Sequence, residues 1–188
     1  MIQLKNKKRL ILASLLILLG VAFRTVWHFW PNVEFITAAT LLAGAYLGKK
    51  WAVIVPFLAM FLSDLILGNT NIFLFTWSAY IVIGYLSNLS HSDGIGKIVK
   101  ATGLGIAASF WFYLWTNFGV WLLDSWGMYP KTISGLINCY ILALPFLKYN
   151  LLGNIIFVPL SFTVVELYRS VKWFSLFHWK VLKTRKMH

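Results

Sequence analysis

The chain reads as an all-α membrane protein: a compact bundle of six transmembrane helices plus a short re-entrant or interfacial segment and an amphipathic C-terminal helix. Three observations predict this. Hydrophobic residues make up 60% of the 188 residues and charged ones only 12%. Apolar runs of helical length fill the chain from Leu10 to Tyr168, separated by short polar turns. The basic residues, which give a net charge of +12, gather at the ends of those runs, where a bilayer protein keeps its cytoplasmic lysines and arginines. A soluble helix needs a polar face, and these runs have almost none.

The first span is expected from Leu10 to about Trp30, behind the basic head Lys5, Lys7, Lys8 and Arg9. No small-residue cleavage pattern follows it, so it reads as an uncleaved span rather than a signal peptide. A short second run covers Phe35–Leu47, a third Trp51–Leu67 and a fourth Ile72–Leu86. Ser87–Gly96 is the longest interior polar break, and the fifth span follows over Lys100–Leu123. Two further apolar runs, Ile133–Leu147 and Leu151–Tyr168, precede a basic amphipathic tail over residues 168–188. The whole chain is one transmembrane domain.

Charge sets the expected topology. With the basic head cytoplasmic, counting spans puts Lys49, Lys50, Lys97 and Lys100 on the same side. The basic tail joins them only if Ile133–Leu147 dips in or lies at the outer face. Asn138, Cys139 and Pro145 suit a broken element there. Six crossings with both termini cytoplasmic are therefore expected, rather than seven. In the tail, Arg169, Lys172, Ser175, Lys180 and Lys183 share one helical side and Val171, Phe174, Phe177 and Val181 the other, the layout of a helix lying on an anionic membrane face.

Small residues four apart, Ala39/Ala43 and Gly44/Gly48 in the second run and Gly103/Ala107 and Gly105/Ser109 in the fifth, are candidates for close helix packing or partner docking. Arg24 and Asp64 are ionisable groups inside spans at similar depth, a costly placement that points to a mutual pair, a ligand cavity, or both. Tyr113, Asn117, Trp121 and Asp124 climb one side of the fifth span. Trp111, Trp115, Phe118 and Leu122, expected to face lipid, line the other. His28, Trp30, Asn32, Glu34, Asn69, Trp77, Trp126, Tyr129, Lys131, Asn138, Tyr140 and Asn150 are expected at the outer face. Interface tryptophans and a ligand-stacking pocket both remain open explanations there.

No phosphate loop, zinc spacing, HExxH or nucleophile elbow occurs, so neither enzymatic activity nor a metal or cofactor is expected. The single Cys139 reads as a packed thiol. Nucleic-acid binding is not expected, because the basic residues mark span ends rather than a groove.

Pro31–Thr37, Ala38–Gly48, Pro56, Ser63-Asp64 and Leu67-Gly68 resemble the first half of a bacterial inner-membrane family of undefined function. Thr116–Trp121, Tyr129–Thr132, Gly135-Leu136, Cys139-Tyr140, Ala143–Phe146 and Leu152–Asn154 resemble its second half. That family in turn resembles the substrate-binding S components of energy-coupling-factor vitamin transporters. The resemblance implies a multi-pass protein of the bacterial cytoplasmic membrane that binds a small vitamin-like metabolite from outside. A transmembrane coupling subunit and ATPases would be its partners. Arg24, Asn32, Asp64, Asn117, Trp121, Tyr129, Lys131 and Asn138 are the candidate pocket or lid residues. The sequence departs from the family pattern at Asn154, where an acidic residue is usual, and in carrying Ala39/Ala43 on the second helix rather than the first. The alternative reading is a structural or assembly protein without a ligand, or a solitary facilitator.

Overall fold

The computed structural model describes residues 6–27, 30, 32–68, 71–87, 93–125 and 127–185, with side chains as far as 171. Six helices and no strand occur among them: α1 (Asn6–Thr25), α2 (Ile36–Leu42), α3 (Lys49–Leu67), α4 (Phe73–Leu86), α5 (Gly94–Leu123) and α6 (Ile133–Arg185). Three helical stretches are long and apolar enough to cross a membrane: Lys49–Leu67, Gly94–Leu123 and Ile133–Val171. At about 1.5 Å per residue they run about 28, 45 and 58 Å, against a hydrocarbon core of about 30 Å.

The core forms around α2. All seven of its residues are buried, and it touches α1, α3, α4, α5 and α6. A helix apolar on every side has to be enclosed on every side. Ala39 and Ala43 are fully buried among neighbours from this same chain. Below Leu42 the helix widens into a π turn over Ala43–Leu47, in which the Gly48 amide reaches the Ala43 carbonyl at 3.0 Å. Gly44 packs directly on Ser87. Gly48 makes no close packing contact; its φ of +103° lets the chain turn into α3.

Pro56 interrupts α3 and frees the carbonyl of Ala52, since proline has no amide hydrogen to give it. Gly84 of α4 lies over that carbonyl; a Cβ at position 84 would stand 2.2 Å from the Ala52 oxygen. The α3–α4 contact thus needs glycine. Between α5 and α6 the close approach belongs to Gly105 and Ser109, which meet Asn154 and Val158. Gly103 and Ala107 face outward.

The sequence expectation fails at α6. Ile133–Leu147 is not a separate re-entrant segment but the start of one helix 53 residues long, about 80 Å. Pro145 and the polar Lys148–Asn150 do not end it: Lys148 projects outward, and Asn150 is buried against Asn32 and Asn154. The α5–α6 contacts show how it runs. Asn154 bonds Ser109, and Cys139 bonds the Asn117 carbonyl. Between those points α5 rises about 12 Å and α6 about 22 Å. The Pro145 section of α6 therefore follows a path oblique to α5, leaving Leu142, Leu144 and Phe146 exposed. The charge pattern expected in the tail rests on side chains from Lys172 onward, outside the described residues.

Candidate functional site

The end of the bundle away from the basic head holds a buried ionic cluster built from four segments. Arg24 arrives near the end of α1, Glu34 from the loop before α2, Ser63 and Asp64 from α3, and Trp77 from α4. The Arg24 guanidinium donates to Asp64 Oδ1, to Ser63 Oγ at 2.6 Å and to Glu34 Oε1 at 3.3 Å. The Trp77 indole donates to Asp64 Oδ2 at 2.7 Å. Side-chain exposure is 16% for Arg24, 14% for Glu34 and 6% for Asp64, so water screens the pairs little. Among the described residues, one cation, Arg24, meets two carboxylates, Glu34 and Asp64.

Local structure sets up the geometry. Asn32, with φ of 62°, turns the chain through the left-handed region, which Asn tolerates better than most residues. The Asn32 carbonyl accepts from Asn150 Nδ2 at 3.4 Å, and Val33 lies against Gly153. The loop is pinned to α6, with Glu34 directed at Arg24. Deeper, the Asn154 amide donates to Ser109 Oγ at 2.7 Å, the Gly105 carbonyl at 3.3 Å and Asn150 Oδ1 at 3.2 Å. Asn154, where the resemblance led us to expect an acid, ties α5 to α6.

The remaining candidate residues form a second group around the loop between α5 and α6. Asp124 caps α5 with φ of 40°, and its Oδ1 accepts from the amides of Met128 (2.8 Å) and Tyr129 (3.2 Å). Lys131 donates to the Trp121 and Leu122 carbonyls, neutralising the negative end of the α5 dipole. Trp121 donates to the Pro130 carbonyl at 3.1 Å, and Asn117 to the Tyr113 carbonyl on its own helix at 2.7 Å. Cys139 is buried beside Asn117 and Tyr129. Burial, together with the neighbouring sulfur, pushes the Tyr129 phenol above its ordinary value. Asn138 points outward and joins neither group.

The chain belongs to DUF6580, a family of unknown function. The family matches residues 4–176, from the basic head through five helices and most of α6. No curated protein and no solved structure matches the chain.

Arg24 and Asp64 are thus brought together, with Glu34 and Trp77 added, while Asn32 turns the adjoining loop and meets Asn150. Asn117, Trp121, Tyr129 and Lys131 form a separate group. His28, Asn69 and Trp126, expected at the same face, lie outside the described residues. On the aromatic side of α5, Trp111, Trp115 and Phe118 pack on α4 rather than facing lipid as expected, while Leu122 is exposed. Trp111 donates to the Ala79 carbonyl at 3.2 Å, Trp115 to Ser78 Oγ at 2.8 Å, and the Phe75 ring meets Trp115 at a tilt and Phe118 edge-on.

Sequence reasoning missed a second charge cluster at the opposite end. Glu166 accepts from Tyr46 Oη at 2.6 Å, Arg169 at 2.8 Å and the Gly94 amide at 3.3 Å. Lys97, with a side chain only 5% exposed, lies 3.8 Å from Glu166, 3.5 Å from Asp93 and 4.9 Å over the Tyr46 ring. The available signal was Glu166 itself, an acid inside an apolar run in a chain with five acidic residues.

Proposed function

We propose that this protein is a membrane-embedded substrate-binding subunit, S-component-like, serving uptake of a small vitamin-like metabolite. Its six helices would sit in the bacterial cytoplasmic membrane with both termini cytoplasmic, and a partner coupling subunit with ATPases would supply energy. The observation that carries this reading is the Arg24–Glu34–Asp64–Trp77 cluster. Burying three charges is expensive, and well-packed apolar residues commonly stabilise as well or better. Four segments converge on it, one of them a loop rather than a helix. Glu34, on that loop, has one contact to Arg24, whereas Asp64 is held from both sides. Glu34, held by its 3.3 Å contact to Arg24, would offer an acceptor to a ligand bearing a cationic or hydrogen-donating group, received where its loop meets the bundle. The Asp124–Thr132 loop, held closed by Lys131 and Trp121, would be the second covering element.

The alternative, a structural or assembly protein, draws on a specific observation. Asn117, Trp121 and Lys131 all spend their hydrogen bonds inside the chain. Mass spectrometry of small molecules co-purifying with the full chain, followed by equilibrium binding of what is found, separates the two. The uptake reading expects a saturable ligand whose affinity falls about tenfold or more in Glu34→Gln. That loss should remain at temperatures where the ligand-free variant is still fully folded, whatever the fall in its melting temperature. Finding no ligand, with Glu34→Gln altering only stability, favours the structural reading.

A further inference from the structure

At the basic end of the bundle a cavity of about 470 Å³ opens between the start of α1 and the turn from α2 into α3. Arg9, Lys49 and Lys50 line it together with Asn6, Gly48 and Trp51, and no carboxylate does. Three cations sharing one recess repel each other unless an anion joins them. Arg9 sharpens the point: its Nε is buried and has no hydrogen-bond partner among the described residues. A donor removed from water and left unmatched is costly, and more so on a charged group.

The backbone adds to this. α3 begins at the cavity wall with no side-chain cap and no acidic residue in its first turn. The first amides of a helix lack intrahelical partners and form the positive end of its dipole. Lys49 and Lys50 therefore add positive charge where a helix prefers negative, while Lys49 Nζ is held 5.8 Å over the Tyr85 ring. Side chains and backbone alike call for an anion with several acceptor oxygens.

We propose that this recess binds a phosphate group, and that the phosphate is the headgroup of an anionic phospholipid. The inference rests on membrane placement and not on the uptake reading. Apolar surface for an acyl chain begins beside Arg9, at Leu10 on α1, which is 56% exposed. Trp51 at its edge is the residue type that settles at headgroup depth. Arg9 and Lys50 grip the phosphate oxygens, and Asn6 with the Lys49 and Lys50 amides completes the shell, since the Trp51 and Ala52 amides already reach the Gly48 carbonyl; the chains lie along α1.

The test is lipid retention by the purified full chain, read by native mass spectrometry after delipidation and titration with phosphatidylglycerol or phosphatidylcholine. Phosphatidylglycerol is expected to bind and to raise the melting temperature, with phosphatidylcholine at least tenfold weaker. Arg9→Gln with Lys50→Gln should weaken phosphatidylglycerol about tenfold, whereas Lys100→Gln, a basic residue outside the recess, should leave it unchanged. Lys50→Gln alone, on an exposed side chain, should give an intermediate loss and serves if the double variant does not fold. Equal loss in Lys100→Gln, or none in the recess variants, would overturn the proposal by showing only diffuse attraction. Inorganic phosphate protecting as well as the lipid at equal concentration would overturn the lipid source and assign the recess to a soluble phosphate compound.

Discussion

The two charge clusters differ in balance and in exposure. At one end Arg24 lies between two carboxylates, Glu34 and Asp64; at the other two cations, Lys97 and Arg169, share a buried carboxylate, Glu166, and an exposed one, Asp93. The first is closed: all three charged side chains are mostly buried, and a loop covers them. The second is open at one edge, since Asp93 is 84% exposed and Arg169 34%. Water can repair a broken contact in the second but hardly in the first. Buried charge therefore has two roles here, a rigid one that cannot be rearranged cheaply and a tolerant one that can.

The largest effect expected of any single change follows from that contrast. Arg24→Ala leaves Glu34 and Asp64 facing each other with little solvent, and should cost about 3–5 kcal/mol in a denaturant titration of the detergent-solubilised protein. Glu166→Ala removes the acceptor for Tyr46 and Arg169, but Lys97 keeps Asp93 and the Tyr46 ring. A loss of about 1.5–3 kcal/mol is expected. A larger loss at Glu166 than at Arg24 would break the comparison. The smallest effect belongs to Asp93→Asn, about 0.5 kcal/mol or less, because its carboxylate is in water. What effect there is should fade between low and high salt. Persistence of the Asp93 effect in high salt would mean that the open edge is closed in the membrane.

Much of the fold was legible because apolar runs and basic span ends are local signals. The limits of α2 together with its π turn, of α3 and of α4 fall within two residues of those read from hydropathy. Arg24 and Asp64 stood out because ionisable groups inside apolar runs are rare, and the two fell at one depth. Glu34 gave no such signal, being an acid in an apparent loop. The Glu166–Lys97 pairing depends on the antiparallel register of α5 and α6, which no local pattern encodes. The unity of α6 was hidden for another reason. Lys148, Tyr149 and Asn150 look like a turn, but a helix satisfies its own backbone and needs only places for those side chains to go. Lys148 projects away from the bundle, and bonds to Asn32 and Asn154 take Asn150. The lipid-facing assignment for Trp111 and Trp115 failed because an indole offers both an apolar ring and a donor, and α4 supplies partners for each.

The wide turn at Ala43–Leu47 has a bearing on how this chain can change length. A π turn houses one residue more than the regular spiral would over the same rise, and here it closes the helix just before Gly48 turns the chain into α3. A one-residue deletion there can rewind into ordinary helix while Ile36–Leu42 holds its bearing. An added residue within Ile36–Leu42 would swing part of that enclosed surface by about 100°. Length variation in α2 should therefore be tolerated in one direction and at one place.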